Sequence, residues 1–223
     1  MDLFTYLLAK NNKFSLVHKS DLFSYLLGKN NSSILPKEYK QIEYIEGTGT
    51  QYINTLYKPS NYTKYEIECS ITDLNSTITG IIGSYSPTSS LMRWLIYLNS
   101  NNYFSVGYGN TYYATDIIPV LENKYTLIQT KSDFIINNEI YKSYTPPQEK
   151  VFSKDYALIF SRTTIETVYL TKMKLYKCKI YDDEEIVRNF IPCIRKEDNK
   201  PGLFDTINNE FYINNGTGEF LYG

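Results

Sequence analysis

From residue 39 to the C-terminus the chain repeats one pattern, short runs in which apolar and polar residues alternate, separated by Asn, Gly, Ser and Pro. The runs are "YKQIEYIE" (39–46), "QYINTLY" (51–57), "KYEIECSIT" (64–72), "RWLIYLN" (93–99), "YFSVGY" (103–108), "YTLIQTK" (125–131), "MKLYKCKIYD" (173–182) and "IVRNFIPCI" (186–194). A two-residue period places alternate side chains on opposite faces, as in half-buried antiparallel strands. The abundance of Tyr, with 23 copies, agrees with that reading. Two connections are legible as hairpins: "DFIINNEIY" turning at Asn137-Asn138 and "LFDTINNEFYI" turning at Asn208-Asn209. Asn tolerates the positive φ that a two-residue type I′ turn requires. The expected fold is all-β, with two antiparallel sheets packed as a sandwich.

A chain of 223 residues that is 42% hydrophobic can bury one substantial core. No apolar run approaches the roughly 18 to 20 residues needed to cross a bilayer, so no membrane insertion is expected. The N-terminal stretch carries Asp2 and lacks a small-residue cleavage site, so it is read as retained. Net charge is −1 with Lys and Arg scattered singly, which argues against nucleic acid as a partner. Cys69, Cys178 and Cys193 are too few for a stapled scaffold. A hairpin turning at Asp182-Asp183-Glu184-Glu185 puts Cys178 opposite about residue 189. Cys193 then falls roughly 13 Å further along, beyond disulfide reach, and three free thiols are expected.

The stretch "LPKEYKQIEYIEGTGTQYINT" (35–55) resembles the opening of a concanavalin A-like/laminin-G-like jelly-roll domain of phage and prophage proteins from gut bacteria, whose usual form reads L-P-x-x-Y-x-x-V-E-Y-I-x-x-x-G-T-Q-Y-I-D-T. "KLYKCKIYDDEEIVRNFIPCIRKEDNKPGLFDTINNEFYINNGTGEF" (174–220) is similar to that family's closing strands. Asn54 and Asn189 replace residues that are usually Asp. The resemblance implies a jelly roll over residues 35–223, in which the first and last strands pair. It also implies a virion structural protein, made in the bacterial cytoplasm and placed in the phage particle.

Function has to be sought residue by residue, because jelly rolls serve lectins, glycosidases and architectural proteins alike. The single histidine, His18, lies outside the sandwich, which removes His-based triads and His-rich metal sites from the domain. Glu66 and Glu68 share one face of their strand, about 6.6 Å apart, within the range of a glycosidase pair. They share that face with Lys64 and Ser70, opposite the apolar Tyr65, Ile67, Cys69 and Ile71, and a solvated face is the simpler reading. The protein is therefore expected not to be an enzyme. The loops offer few carboxylates, so neither a metal nor any other cofactor is expected.

For glycan binding, the region 91–113 concentrates Arg93, Trp94, Tyr112 and Tyr113, of which Trp94 is by alternation a core residue. At the N-terminus "DLFTYLLAKNN" (2–12) recurs as "DLFSYLLGKNN" (21–31). In the two copies Leu3, Phe4, Leu7 and Leu8, and Leu22, Phe23, Leu26 and Leu27, form an apolar stripe on about two turns of helix. Residues 1–34 are expected to form an arm that docks on other virion proteins, gaining avidity from two copies. The alternative is that the stripes pack on the chain's own domain. The functional expectation is a virion decoration or adhesion protein, homo-oligomeric in the particle, that binds surface glycans. A purely architectural capsid or tail protein and a glycan-cleaving enzyme are the rival readings.

Overall fold

A computed structural model of the protein describes residues 35–85, 93–109, 111–145, 149–162 and 169–223. The expected helices of the arm, with all eight of their apolar residues and His18, lie outside the described residues. In chain order the first strands are β1 (Tyr39–Gln41), β2 (Ile45–Thr48), β3 (Ile53–Asn54), β4 (Thr63–Ile71), β5 (Thr79–Tyr85), β6 (Arg93–Leu98), β7 (Phe104–Gly109) and β8 (Thr111–Ala114). They are followed by β9 (Lys124–Gln129), β10 (Asp133–Ile136), β11 (Glu139–Ser143), β12 (Leu158–Ile159), β13 (Lys172–Asp182), β14 (Glu185–Arg195), β15 (Lys200–Asp205), β16 (Glu210–Tyr212) and β17 (Leu221–Tyr222).

These strands form two antiparallel sheets, an antiparallel jelly-roll sandwich as expected. The eleven-stranded sheet runs β11-β10-β9-β4-β13-β14-β15-β16, with β1 on β14 and β2 joining β13 to β17. The six-stranded sheet runs β3-β12-β5-β6-β7-β8. Between them lies a continuous core. Tyr65, Ile67, Cys69 and Ile71 of β4 and Met173, Leu175, Cys178 and Ile180 of β13 face Ile82, Trp94, Ile96, Phe104 and Val106 of the smaller sheet, all of them fully buried. A register shift between Leu175 and Lys177 keeps β13 in phase with the core: Tyr176 and Lys177 both fall outside it, and burial resumes at Cys178.

The run 39–46 is two strands rather than one, because the chain changes partner midway. Gln41 pairs with Cys193 of β14, the Ile42 amide still donates to the Pro192 carbonyl at 3.1 Å, and from Ile45 the partner is Leu175 of β13. Most of 51–57 is also not strand. The Tyr52 and Asn54 amides donate to the side-chain oxygens of Asn214 and Asn215, at 3.1 and 2.8 Å, so a ladder partner is replaced by two asparagines.

The turn at Asn137-Asn138 is the expected one: φ is 50° and 70° at the two positions, and Ile136 pairs with Glu139 across them. The second hairpin differs. Asp205 pairs with Glu210, leaving the four-residue connection 206–209, in which only Asn209 has positive φ, at 57°. The Asp205 carboxylate accepts the Ile207 amide at 3.1 Å and starts the turn earlier than Asn-Asn implies. Cys178 stands opposite Phe190 rather than residue 189, since the hairpin carries a bulge between Ile180 and Tyr181. The three cysteines are free and buried.

Both ends of the sandwich meet. Leu221 and Tyr222 of β17 pair with Glu46 and Ile45 of β2, and the Glu43 amide donates to the Gly223 carbonyl at 2.7 Å. The amide of Gln51 donates in the same region to the Glu219 carbonyl at 3.0 Å.

Candidate functional site

The outer face of the six-stranded sheet, turned away from the core, has an unusual composition. Cross-strand register places Leu158, Gly83, Leu95, Gly107 and Tyr112 in one row, Tyr85, Arg93 and Gly109 in the next, and Gly80, Tyr97, Ser105 and Ala114 in a third. Glycines therefore alternate with large side chains. Where a glycine leaves a gap, its neighbour lies across the sheet: a Cβ on Gly107 would come within 2.4 Å of the Leu95 Cδ2.

Aromatic rings and arginines gather on this face. The Arg93 guanidinium lies 4.4 Å from the Tyr112 ring centroid and 5.6 Å from that of Tyr85. Tyr97 meets Tyr112 edge-on at 5.7 Å. Arg162, on the irregular segment after β12, lies 3.7 Å from the Tyr169 ring centroid and 4.8 Å from that of Tyr85. Tyr112 is the most open of these rings, 41% exposed. Burial pushes its hydroxyl up to about 12, against the opposing pull of Arg93. Tyr97 is raised in the same way, by burial first. Both phenols therefore stay neutral, as donors and acceptors, through the physiological range.

Of the residues singled out in the sequence, the structure brings Arg93 and Tyr112 together and separates the other two. Trp94 is fully buried, so as a glycan contact it is corrected to a core residue. Its ring packs on Tyr108 at 4.8 Å and its Nε1–H donates to the Thr63 carbonyl at 2.9 Å. Tyr113 follows Tyr112 in the same strand and so points the opposite way. It is stacked on Tyr144 at 5.6 Å, with Lys142 over its ring, and packs against the core. Alternation along 93–99 already puts Tyr97 on the face of Arg93, whereas Tyr85, on a separate strand, and Arg162 and Tyr169, in a stretch of sequence without periodicity, were not singled out.

Glu66 and Glu68 occupy the outer face of the larger sheet, with β4 alternating as expected. The Glu66 carboxylate accepts hydrogen bonds from the Lys177 ammonium at 3.0 Å and the Tyr181 hydroxyl at 3.1 Å, while Glu68 lies 3.8 Å from Lys124. Burial would raise the Glu66 carboxyl, but the Lys177 and Tyr181 hydrogen bonds and the nearby lysine charges outweigh it and hold it below its ordinary value. A general acid needs the opposite shift. Among the described residues no cluster of three or more His, Cys, Asp or Glu side chains is arranged to hold a metal ion, and no helix is long and apolar enough to cross a membrane.

The two packed antiparallel sheets define a jelly-roll sandwich. No family model matches the chain, and no curated protein matches it in sequence. In structure it is similar to a protein from Bacteroides ovatus ATCC 8483 described as a presumed carbohydrate-binding protein, with a TM-score of 0.60 and 11% identity, over 82% of this chain and 60% of that one. The chain thus spans 60% of the length of that neighbour. Sialidase structures from Trypanosoma rangeli overlap with 55% of this chain and 21% of theirs, at a TM-score of 0.44 and 13% identity for the complex with difluorosialic acid.

Proposed function

We propose that this protein is a non-catalytic glycan-binding sandwich whose sugar platform is the outer face of the six-stranded sheet. The observation that carries this reading is the exposed Tyr112 ring, braced by Arg93 at 4.4 Å and Tyr97 at 5.7 Å and set beside Gly107 and Gly109. A sugar ring buries its C–H face on an aromatic ring and spends its hydroxyls on polar groups at the margin. The space at Gly107 is filled by Leu95, but Gly109, opposite Arg93, has nothing within 4 Å of where a Cβ would stand and leaves room for that approach. The B. ovatus neighbour, described as carbohydrate-binding, supports the same reading, and the ion-paired Glu66 supports the absence of glycoside cleavage.

The test is a glycan array on the full chain, with Tyr112→Ala in parallel. Binding of a defined set of glycans is expected, weakened about tenfold or more by the substitution. An array without any binder, or a variant that binds equally well, refutes the platform. Reducing-sugar release from the bound glycans refutes the non-catalytic part.

The setting we propose is a phage particle, in which residues 1–34 anchor homo-oligomeric copies to other virion proteins and the sandwich faces outward. Its support is in the sequence: the duplicated Leu3/Leu22 to Leu8/Leu27 segment and the family resemblance of both domain ends. Residues 35–223 should then fold as a soluble domain that no longer joins particles. An insoluble truncation, or one that still assembles, ends the docking reading. An architectural role without a ligand is separated by the same array.

A further inference from the structure

Arg162 is not accounted for by a platform for neutral sugars. It is 5% exposed, yet among the described residues its side chain forms no ion pair, and its Nε is enclosed without a hydrogen-bond partner. The guanidinium is instead held between rings, 3.7 Å from the centroid of Tyr169 and 4.8 Å from that of Tyr85. Ring faces offset only part of what a cation loses on leaving water, and an apolar side chain of similar volume would fill the same space without that cost.

The position is also fixed by the backbone. A Cβ on Gly80 would fall 2.4 Å from the Arg162 amide nitrogen, so the segment carrying the arginine is seated directly on the sheet at a residue that has no side chain. The chain returns beside it, where Leu170 bridges Gly80 and the Thr171 hydroxyl donates to the Gly80 carbonyl at 2.6 Å. Arg162 is thus pre-placed, and placement before binding lowers the entropy lost when a ligand arrives.

We propose that Arg162 receives the anionic group of an acidic sugar, a uronate-type carboxylate or a sulfate ester, on a glycan laid along the Tyr85, Arg93 and Tyr112 face. The planar guanidinium donates two parallel N–H bonds to two oxygens of either group, a geometry that lysine cannot reproduce. This rests on the sugar-platform reading and narrows it from glycans to anionic glycans.

The experiment titrates the full chain with an oligogalacturonate, a sulfated oligosaccharide and an uncharged oligosaccharide of equal length, at low and high sodium chloride. One of the two anionic probes is expected to bind about tenfold or more tighter than the uncharged one, and to weaken as salt rises. The probe that wins identifies carboxylate or sulfate. Arg162→Gln should remove the preference, so that the variant binds the charged and uncharged probes with equal affinity. Arg162→Lys, which keeps the charge and loses the fork, should remove a large part of it and serves if the Gln variant does not fold. Equal affinity for charged and uncharged probes, or a preference that survives both substitutions, overturns the anion site and leaves the sugar platform standing. Failure of every probe to bind overturns both.

Discussion

Gly83 and Leu95 are cross-strand partners in the six-stranded sheet, and a Cβ on Gly83 would lie 2.4 Å from the Leu95 Cα. The neighbour in the way is backbone, so the sheet cannot yield by rotating a side chain. The φ of Gly83, 135°, is also one that L residues rarely adopt. Gly83→Ala should therefore destabilise the protein by about 2 kcal/mol or more, read by urea unfolding. Gly109 gives the contrast: its φ is 57° but nothing lies within 4 Å of a Cβ there. Gly109→Ala should cost only about 1 kcal/mol.

Trp94 joins the two sheets through its bond to the Thr63 carbonyl. Trp94→Phe keeps a ring in the core but leaves that carbonyl without its indole donor, and a loss of about 1–3 kcal/mol is expected. Because Trp94 is the sole tryptophan and is fully buried, its native emission should be blue-shifted and should move to the red in a single step with denaturant. A native spectrum typical of exposed indole would contradict its placement.

The two asparagine turns should respond alike to a β-branched residue, and the first of them in the opposite sense to glycine. Asn138→Val and Asn209→Val each force a valine to positive φ, at a cost of about 1 kcal/mol or more. Asn138→Gly, in the two-residue turn, should be neutral or stabilising. Thermal melts of the three variants check this.

Glu66 makes stability depend on pH in a defined direction. Its folded-state carboxyl is held low, so its contribution is complete above the unfolded value of about 4.3 and is lost as pH falls through the lower folded value. Glu66→Gln should reduce stability near neutrality, through the lost Lys177 partner, and flatten the acid limb of the stability curve. Glu68→Gln, with its longer 3.8 Å contact to Lys124, should stay within about ±0.5 kcal/mol. Urea midpoints measured from about pH 3 to 7 separate the two.

The thiols should be inert in the native state. Burial pushes Cys69 and Cys193 up to about 12 and Cys178 higher still, so almost no thiolate is present at neutral pH. No modification by a disulfide reagent is expected without denaturant, and all three cysteines should react with it. Rapid native labelling of any one would show that its surroundings open.

What the sequence discloses, and what it hides, follows from where hydrogen bonds go. Tyr65, Ile67, Cys69 and Ile71 were readable because β4 is flanked on both sides and keeps one phase over nine residues. Asn137-Asn138 was readable because the turn is closed by its own residues. Residues 51–57 misled because side chains of Asn214 and Asn215, distant in sequence, take the place of a neighbouring strand. The site divides the same way. Arg93 and Tyr112 lie within one hairpin region, whereas Arg162 reaches it from an irregular segment after Phe160, whose φ of 68° breaks any period.

The junction of Glu43, Tyr44 and Gly223 has a mechanical meaning. Because the ladder of β2 and β17 is antiparallel, residues before Tyr44 and residues at Gly223 leave it from the same end. Tension applied between those two points is borne by one pair of hydrogen bonds at a time, beginning at Glu43 and Gly223, and the ladder opens like a zip instead of shearing as a block. Each bond contributes only about 0.5–1.5 kcal/mol. Such a load peels β17 from β2, while the residues before Tyr44 stay held by the pairing of β1 with β14 and the ladder of β4 with β13 stays intact.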